Sequence, residues 1–578
     1  MITRLTLENF KSIKAQTYEF TNFDLLVGRN NSGKSTVLQA LAIWQFCIDE
    51  FHRADRGGTT GTRVLLPDFT ALPLPEFNLL WHERTDRKNE LIMKSGKRTY
   101  SPKLLFIEIG VEWVTAANQH HQYLMRLRYE SPQAVYAIPD EGGWKRFREL
   151  DREDLLPRIA YVPPFSGLEP VEEWRDIGPI RKQVGKAQPG SVLRNLLLRV
   201  LGPQQTNGME TVPRTETDLP DWEELTRAAQ RWFSVKLQKP VYRTGATKIE
   251  CEYRHGRKAY DLIAGGSGFH QALTLLAFLY GYRPTTILLD EPDAHLHVNL
   301  QREIVDYFKG QAAKRGVQFL IATHAEEFAK GVDPSQIVSL LSGAPTRPNA
   351  TPPVLVAMSD VSNIEASQVL SSPFILYVEG ETDERVLRAW AMVLGLEQLF
   401  EKFCFRAMRG GSKTQMKENA DRHFSGVTQY VKNAQRVMVF DYDSDETAFY
   451  PGPETPALFE WKRKNIENYL LVPDAWVRAA TGGELFHEPA RKGILDFFVA
   501  ENLSLPIGAS WRTVQANIFK VLDGKKLLFD EPKSLFHRLR NCPTPIVLPR
   551  EKVAATMTPE EVHQDVHDLF DKLQTLVA

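Results

Sequence analysis

Near the start of the chain, apolar and polar residues alternate in a way that predicts β-strands over Thr3 to Phe10 and Phe20 to Val27. The second strand runs straight into Gly28-Arg29-Asn30-Asn31-Ser32-Gly33-Lys34-Ser35 and then into VLQALAIWQFCI, whose apolar spacing predicts a helix. From about Arg56 to Thr247 the pattern is mixed, with strand-like LLFIEIGVEW and YLMRLRYE and a Pro-rich connection. Regular elements return with a helix in QALTLLAFLYGY, a buried strand in TTILLDEPD, a polar helix, and a strand in QFLIATH. The turn-rich SGAPTRPNATPP follows, and then a second β-α alternation: FILYVEGETD, a helix from Glu384, RVMVFDYDSD, and a helix-like C-terminal part.

This organisation predicts an α/β protein of two main domains. The first spans 1–368, with an insert of about 56–247, and the second, smaller one spans 369–578. No internal repeat or sustained heptad is present, so the residues between the glycine loop and Asp290 are too irregular for long coiled-coil arms.

Composition changes the picture in three ways. Charged residues at 25% and apolar ones at 43%, with no run of about 18 apolar residues, predict a cytoplasmic protein that does not enter a membrane. The opening MITRLTLENFKSI lacks the apolar core and cleavage site of a signal peptide. A formal net charge of −1 means that any nucleic acid must be held by a local basic patch. The four cysteines, Cys47, Cys251, Cys404 and Cys542, lie far apart without metal-ligand spacing and read as reduced thiols.

The segment Gly28 to Ser35 matches GxxxxGK[ST] in full. Its glycines permit a tight loop whose N–H groups face phosphate oxygens, Lys34 adds charge, and Ser35 is suited to Mg²⁺. The nucleotide-binding set is Gly28, Asn30, Asn31, Ser32, Gly33, Lys34, Ser35 and Thr36. The strand ending Leu289-Asp290-Glu291 suits Asp290 for holding Mg²⁺ and Glu291 for orienting or deprotonating the attacking water. His324, at the end of the next strand, is placed to contact the γ-phosphate.

These pieces resemble the ATP-binding-cassette ATPases. By that resemblance Ala264 to Gln271 is the signature loop, which serves ATP bound by another protomer, with either Ser267 or Gly268 reaching the γ-phosphate. Pro292 to His297 resembles the loop after the catalytic glutamate, and Tyr161 to Pro164 lies near the Q-loop. The resemblance implies a homodimer in which two heads sandwich two ATP molecules.

Farther on, Glu379 follows the apolar strand FILYV and Asp441 and Asp443 follow RVMVF. Two acidic strand ends in neighbouring β-α units meet at one edge of a parallel sheet, and clustered carboxylates are tolerated when a hard cation neutralises them. The arrangement resembles the TOPRIM fold. By that match Glu379 is the pattern's glutamate and Asp441 and Asp443 its DxD pair. Asp383, four residues after Glu379, resembles the second acid of the two-metal nuclease subset. In the Arg463 to Leu470 stretch, Glu467 resembles a further metal ligand, the alternative being a solvated residue on a helix whose core positions are Ile466, Tyr469 and Leu470. Arg409, Lys413, Lys525 and Lys526 are basic candidates for the scissile phosphate or leaving group, with Lys525 favoured.

A cassette head followed by a TOPRIM domain resembles the overcoming-lysogenization-defect (OLD) family of nucleases, including the large subunit of the Gabija anti-phage system. The resemblance implies an ATPase and a Mg²⁺- or Mn²⁺-dependent endonuclease in bacterial anti-phage defence. It would act on DNA in preference to RNA, as a homodimer or higher homo-oligomer with a companion defence protein. Two alternatives stand beside it: a sensor with a TOPRIM effector that cleaves RNA such as transfer RNA, as in the PARIS system, and a repair-type ATPase that grips DNA and whose TOPRIM domain is structural.

Overall fold

The computed structural model describes residues 1–54, 61–94, 97–139, 143–202, 204–206, 209–211, 219–444, 448–449, 457–482, 488–542 and 545–578. The chain falls into two compact units, Met1–Met358 and Ser359–Ala578.

The first unit opens with β1 (Ile2–Phe10), β2 (Ile13–Glu19), β3 (Phe23–Val27) and helix α1 (Lys34–Ala54). It continues with β4 (Thr62–Leu65), β5 (Ile107–Val114), β6 (His120–Ser131) and β7 (Ala134–Ile138). These strands form a six-stranded antiparallel sheet in the order β2-β1-β5-β6-β7-β4, from which β3 is excluded. Alternation decides its faces: Ile107, Ile109, Val111 and Trp113 of β5 are buried, and the residues between them are not.

A second sheet contains β8 (Ile159–Val162), β9 (Thr286–Asp290), β10 (Gln318–Thr323) and β11 (Ile337–Ser339), joined by β3 in the parallel order β8-β9-β10-β3-β11. Every residue of β3, β9 and β10 is buried, which explains why they are mostly apolar on both faces, with Asp24 of β3 paired to Arg347. The strand predicted from Phe20 starts at Phe23, because Thr21 turns back to hydrogen-bond Asp24 and Phe23.

Residues 56–247, set apart by their pattern as an insert, supply β5 to β7 and the core strand β8. Period-two patterning identifies a strand but not its partner, so their pairing with β1 and β9 was not readable.

One buried side chain joins the two sheets. The Gln318 amide donates to Ile2 O at 2.6 Å and Thr21 O at 2.7 Å, and its oxygen accepts from Ile2 N at 2.7 Å and Thr286 Oγ1 at 3.1 Å. Helix α2 (Ser267–Gly281) and helix α3 (Val298–Arg315) flank β9 in sequence.

In the second unit, α4 (Asn363–Ser371) precedes β12 (Phe374–Val378), α5 (Glu381–Val393), β13 (Phe403–Ala407), α6 (Lys413–Val427), β14 (Gln435–Phe440) and β15 (Leu458–Glu460). The strands are parallel in the order β13-β12-β14-β15. The unit begins ahead of residue 369 because α4 is tied to β13 by Glu365 with Arg406 and by Gln368 with Cys404. Later helices, including α7 (Arg550–Ala555) and α8 (Gln564–Val577), share a core with Trp390, Trp461, Tyr469 and Trp476. Cys47, Cys251 and Cys404 are buried free thiols and Cys542 is an exposed one. Among the described residues no helix is long and apolar enough to cross a membrane.

Candidate functional site

The glycine loop joins the end of buried β3 to the start of α1. Asn31 and Gly33 have φ of 65° and 96°, the left-handed values that let successive N–H groups line an anion-binding turn. A Cβ on Gly28 would press on the Ser32 hydroxyl and sit 3.2 Å from Leu340 Cβ, so the loop is packed closely at its first glycine. Ser32 Oγ is buried and has no hydrogen-bond partner among the described residues. The Lys34 ammonium donates to Gly28 O at 2.9 Å and Arg29 O at 3.2 Å, and burial lowers its pKa. An orphaned hydroxyl and a buried ammonium hydrogen-bonded to carbonyls fit a polyphosphate, which supplies charged acceptors to both. Asn30 and Asn31 are exposed, and Ser35 and Thr36 are half-buried on the first turn of α1.

The Ser35 hydroxyl donates to Asp290 Oδ1 at 2.8 Å, and the Tyr161 hydroxyl to Asp290 Oδ2 at 2.9 Å. Burial raises the Asp290 pKa, and these two hydrogen bonds oppose the shift. Glu291, with φ of 51°, turns out of the strand towards the loop: its Oε1 lies 3.8 Å from Lys34 Nζ and its Oε2 is hydrogen-bonded to His324 Nδ1. Thr323 Oγ1 donates to Asp293 Oδ1. Glu291, Asp293 and His324 bring ligand atoms within 4.8 Å of one another. Ser35 and Asp290 have the hard oxygens for Mg²⁺, and Glu291 is placed beside the loop lysine.

Tyr161, expected only in the neighbourhood of the Q-loop, thus reaches the acid itself, braced by a hydrogen bond that its ring oxygen accepts from the Gln39 amide. Lys11, at the turn between β1 and β2, donates to Gln39 Oε1 and acts electrostatically on Asp290. No motif marked Lys11 or Gln39, because both belong to the site only through folding.

Ser267 and Gly268 begin α2, with Ser267 exposed and no side-chain cap on the helix. A Cβ on Gly268 would lie 2.8 Å from His295 O, and Gln271 Nε2 donates to Pro292 O at 3.3 Å. The signature-like turn is therefore packed against the loop that follows Glu291. Among the described residues neither Ser267 nor Gly268 hydrogen-bonds the glycine loop.

In the second unit, β12 and β14 are neighbours, and Glu379 and Asp441 leave their carboxyl ends together. This is the switch point of the sheet, where connections depart in opposite directions. Asp441 N donates to Glu379 Oε1 at 2.9 Å, and Ile466 N to Asp441 Oδ1 at 3.0 Å. The helix expected from Glu384 starts at Glu381, because Asp383 caps it by accepting from Gly380 N at 3.1 Å, and this holds Asp383 beside the strand ends.

Burial, opposed by its hydrogen bond from Asp441 N and reinforced by repulsion from Asp383 and Asp443, pushes Glu379 up to about 7. Burial, reinforced by repulsion from Glu467, pushes Asp383 up to about 6. Asp441 is raised well above the usual range by burial and by Glu379, Asp383, Glu467 and Asp443. Five carboxylates thus share one field, with hard oxygens of the type a divalent cation takes.

Glu467 is buried in a short turn of helix, Ile466–Leu470, not solvated, and accepts from Arg550 Nε at 2.7 Å. Asp443, exposed at φ of 59°, is held by a backbone hydrogen bond to Lys464 O. Lys525 is exposed and lowers the Asp383 pKa, so it stands on the acid side, whereas Lys526 pairs with Asp523. Lys413 is not free for a phosphate: it is buried and donates to Tyr442 O and Glu460 Oε1, both at 2.7 Å, pinning the loop that carries Asp441 and Asp443.

A basic groove lies at the ends of β12 and β13. A cavity of about 430 Å³ is lined by Arg385, Arg388, Arg406 and Arg409 with Glu381 and Glu384. Arg406 is paired with Glu365 and Arg388 with Glu384, while Arg385 and Arg409 are exposed. Of these arginines the sequence had marked only Arg409, since the others are scattered along α5 and β13.

Parts of this chain match known protein families. Residues 81–328 match the family described as "AAA domain, putative AbiEii toxin, Type IV TA system", and residues 1–47 match "AAA ATPase domain". The first unit thus carries the sequence of AAA-type ATPase domains. No curated protein matches the chain.

Among solved structures, the Smc head bound to the C-winged helix domain of ScpA is 16% identical, covering 58% of this chain and 94% of that one at a TM-score of 0.35. The SMC head domain from Thermotoga maritima is 14% identical, covering 60% and 99% at 0.29. The Pyrococcus furiosus Smc head bound to the C-terminal domain of ScpA is 14% identical, covering 60% and 95% at 0.33.

Proposed function

We propose that the chain is an ATP-regulated, divalent-metal-dependent nuclease of the OLD type, acting in anti-phage defence. The observation that carries this reading is the meeting of Glu379, Asp383 and Asp441 at adjacent parallel strand ends, with their pKa values raised by burial and mutual repulsion. Such a cluster is suited to hold one or two cations, with Asp443 and Glu467 completing the donor set. A divalent cation bound there would lower the pKa of a water and neutralise charge on a phosphodiester. Arg385 and Arg409 give the local basic surface that a chain of net charge −1 needs to hold nucleic acid, and Lys525, whose charge acts on Asp383, is the candidate to meet the scissile phosphate or leaving oxygen.

In the head, Lys34 and the loop N–H groups bind the nucleotide phosphates, Ser35 and Asp290 hold Mg²⁺, and Glu291 with His324 positions the attacking water. Ser267, exposed at the start of α2, serves a second copy's nucleotide. ATP then joins two heads and hydrolysis releases them, shifting the nuclease between two states. The match to a family whose description names a toxin supports the defence reading.

The test offers plasmid, single-stranded DNA and transfer RNA to the full chain with Mg²⁺ or Mn²⁺, with and without ATP. Cleavage that disappears in Glu379→Ala while ATP turnover persists is expected. Cleavage unchanged in that variant, or no cleavage of any substrate, overturns the nuclease.

A further inference from the structure

A second cavity lies past the carboxyl ends of β14 and β15. It measures about 480 Å³, and its walls include Tyr442, Phe449, Trp461, Gln515 and Lys520. One of its walls, Tyr442, lies between Asp441 and Asp443 in the chain. Its floor is fixed: Lys413 bonds both Tyr442 O and Glu460, Phe449 N donates to Glu460 Oε1 at 3.0 Å, and the Phe449 ring packs 5.0 Å from Phe440. The Trp461 ring, only 2% exposed, lies at the back of these walls, edge-on to Phe459 and tilted against Tyr469. Lys520 places its ammonium 4.5 Å from the centre of the Tyr442 ring. The exposed Gln515 amide makes no hydrogen bond among the described residues and offers both a donor and an acceptor.

Aromatic walls, a cation over one of them, and a free amide at the rim match a flat heteroaromatic ring with polar edges. A phosphate backbone alone would use none of the aromatic surface. We propose that this cavity takes one unpaired base of the nucleic-acid substrate, beside the phosphate presented to Glu379 and Asp441. The base stacks on Phe449 and Tyr442, and Gln515 meets its edge. A base inside a duplex cannot enter, so the substrate is single-stranded, looped, or extruded at that nucleotide. The inference rests on the proposed nuclease and names which form of nucleic acid it acts on.

The experiment measures binding of the full chain, in Ca²⁺, to a 12-nucleotide strand carrying one 2-aminopurine and to the matching blunt duplex. Expected results are tighter binding of the single strand, a change in 2-aminopurine fluorescence on binding, and loss of affinity for the strand by about tenfold or more in Phe449→Ala. Because Phe449 also packs against Phe440, the exposed Gln515→Ala is measured beside it. That variant should alter the ranking of the four bases at the probed position without changing the melting temperature. Arg385→Ala serves as contrast and should weaken strand and duplex alike. Duplex bound as tightly as the strand, or strand affinity and base ranking unchanged in both cavity variants, overturns the base pocket while leaving the nuclease standing. Binding of neither oligonucleotide removes both.

Discussion

In the first unit, Asp290 accepts hydrogen bonds from Ser35 and Tyr161, and Glu291 sits between Lys34 and His324. In the second unit, Glu379, Asp383 and Asp441 repel one another, and the cations that act on the cluster are Lys413 on Glu379, Lys525 on Asp383 and Arg550, which pairs with Glu467. The nucleotide site is therefore balanced by its own residues before any ligand arrives. The strand-end cluster is left unbalanced, and folding of the surrounding core, with Trp390, Tyr469 and Trp476 buried, must bear that repulsion. Acids placed this way by a fold are tuned for what they bind rather than for stability.

The largest effect that separates the two sites is chemical. Glu291→Gln should lower ATP turnover by about 10²–10⁴-fold in a phosphate-release assay while nucleotide binding persists. Glu379→Ala should leave turnover intact and abolish cleavage, and a joint loss of both activities in Glu379→Ala would mean that the two sites act as one.

Next comes the scaffold behind the balanced site. Gln318→Leu strands Ile2 N–H, Ile2 C=O and Thr21 C=O, at about 1–3 kcal/mol for each group left unpaired, which denaturant unfolding of the variant would read.

A smaller effect has opposite signs in the two units. Asp441→Asn removes a repelling charge and keeps the oxygen that accepts from Ile466 N, so the metal-free melting temperature should rise by about 2–4 °C. Asp290→Asn replaces one of two acceptors with a donor and strips Lys11 and Lys34 of a countercharge, so it should lower the melting temperature by a similar amount. Shifts of the same sign would break the comparison.

The smallest effect is a pH slope. His423, buried against Tyr377 with its Nδ1 2.8 Å from the hydroxyl, has its pKa lowered from 6.5 to about 4, chiefly by burial and then by Arg406. The unfolded chain binds this proton more readily, so the contribution is complete above pH 6.5 and is lost as pH falls towards 4. His423→Gln should flatten that slope in urea titrations.

What was legible in the sequence was contiguous. Gly28 to Ser35 carries its loop, its lysine and its strand-helix setting in one stretch, and β9 and β10 announced their burial by runs of apolar residues. Glu379, Asp441 and Asp443 were readable because each follows such a run. The parts that depend on pairing were not readable. Tyr161 meets Asp290 only because β8 lies beside β9, and Lys11 meets the site only because a hairpin folds over α1. Arg385 and Arg406 converge from different elements, and nothing in their local sequence distinguishes them from solvated charges. Lys413, a candidate phosphate ligand in the string RGGSK, is a buried brace once Glu460 arrives from 47 residues away.

The bond from Gln318 to Ile2 also has a mechanical meaning. Strand β10 is a stiff rod about 20 Å long. One end is riveted to the first strand of the antiparallel sheet, and the other delivers Thr323 and His324 to Asp293 and Glu291. A pull or twist applied to the beginning of the chain is carried along that rod to the ring that faces Glu291, so a load on Ile2 is a load on Glu291 and Asp293.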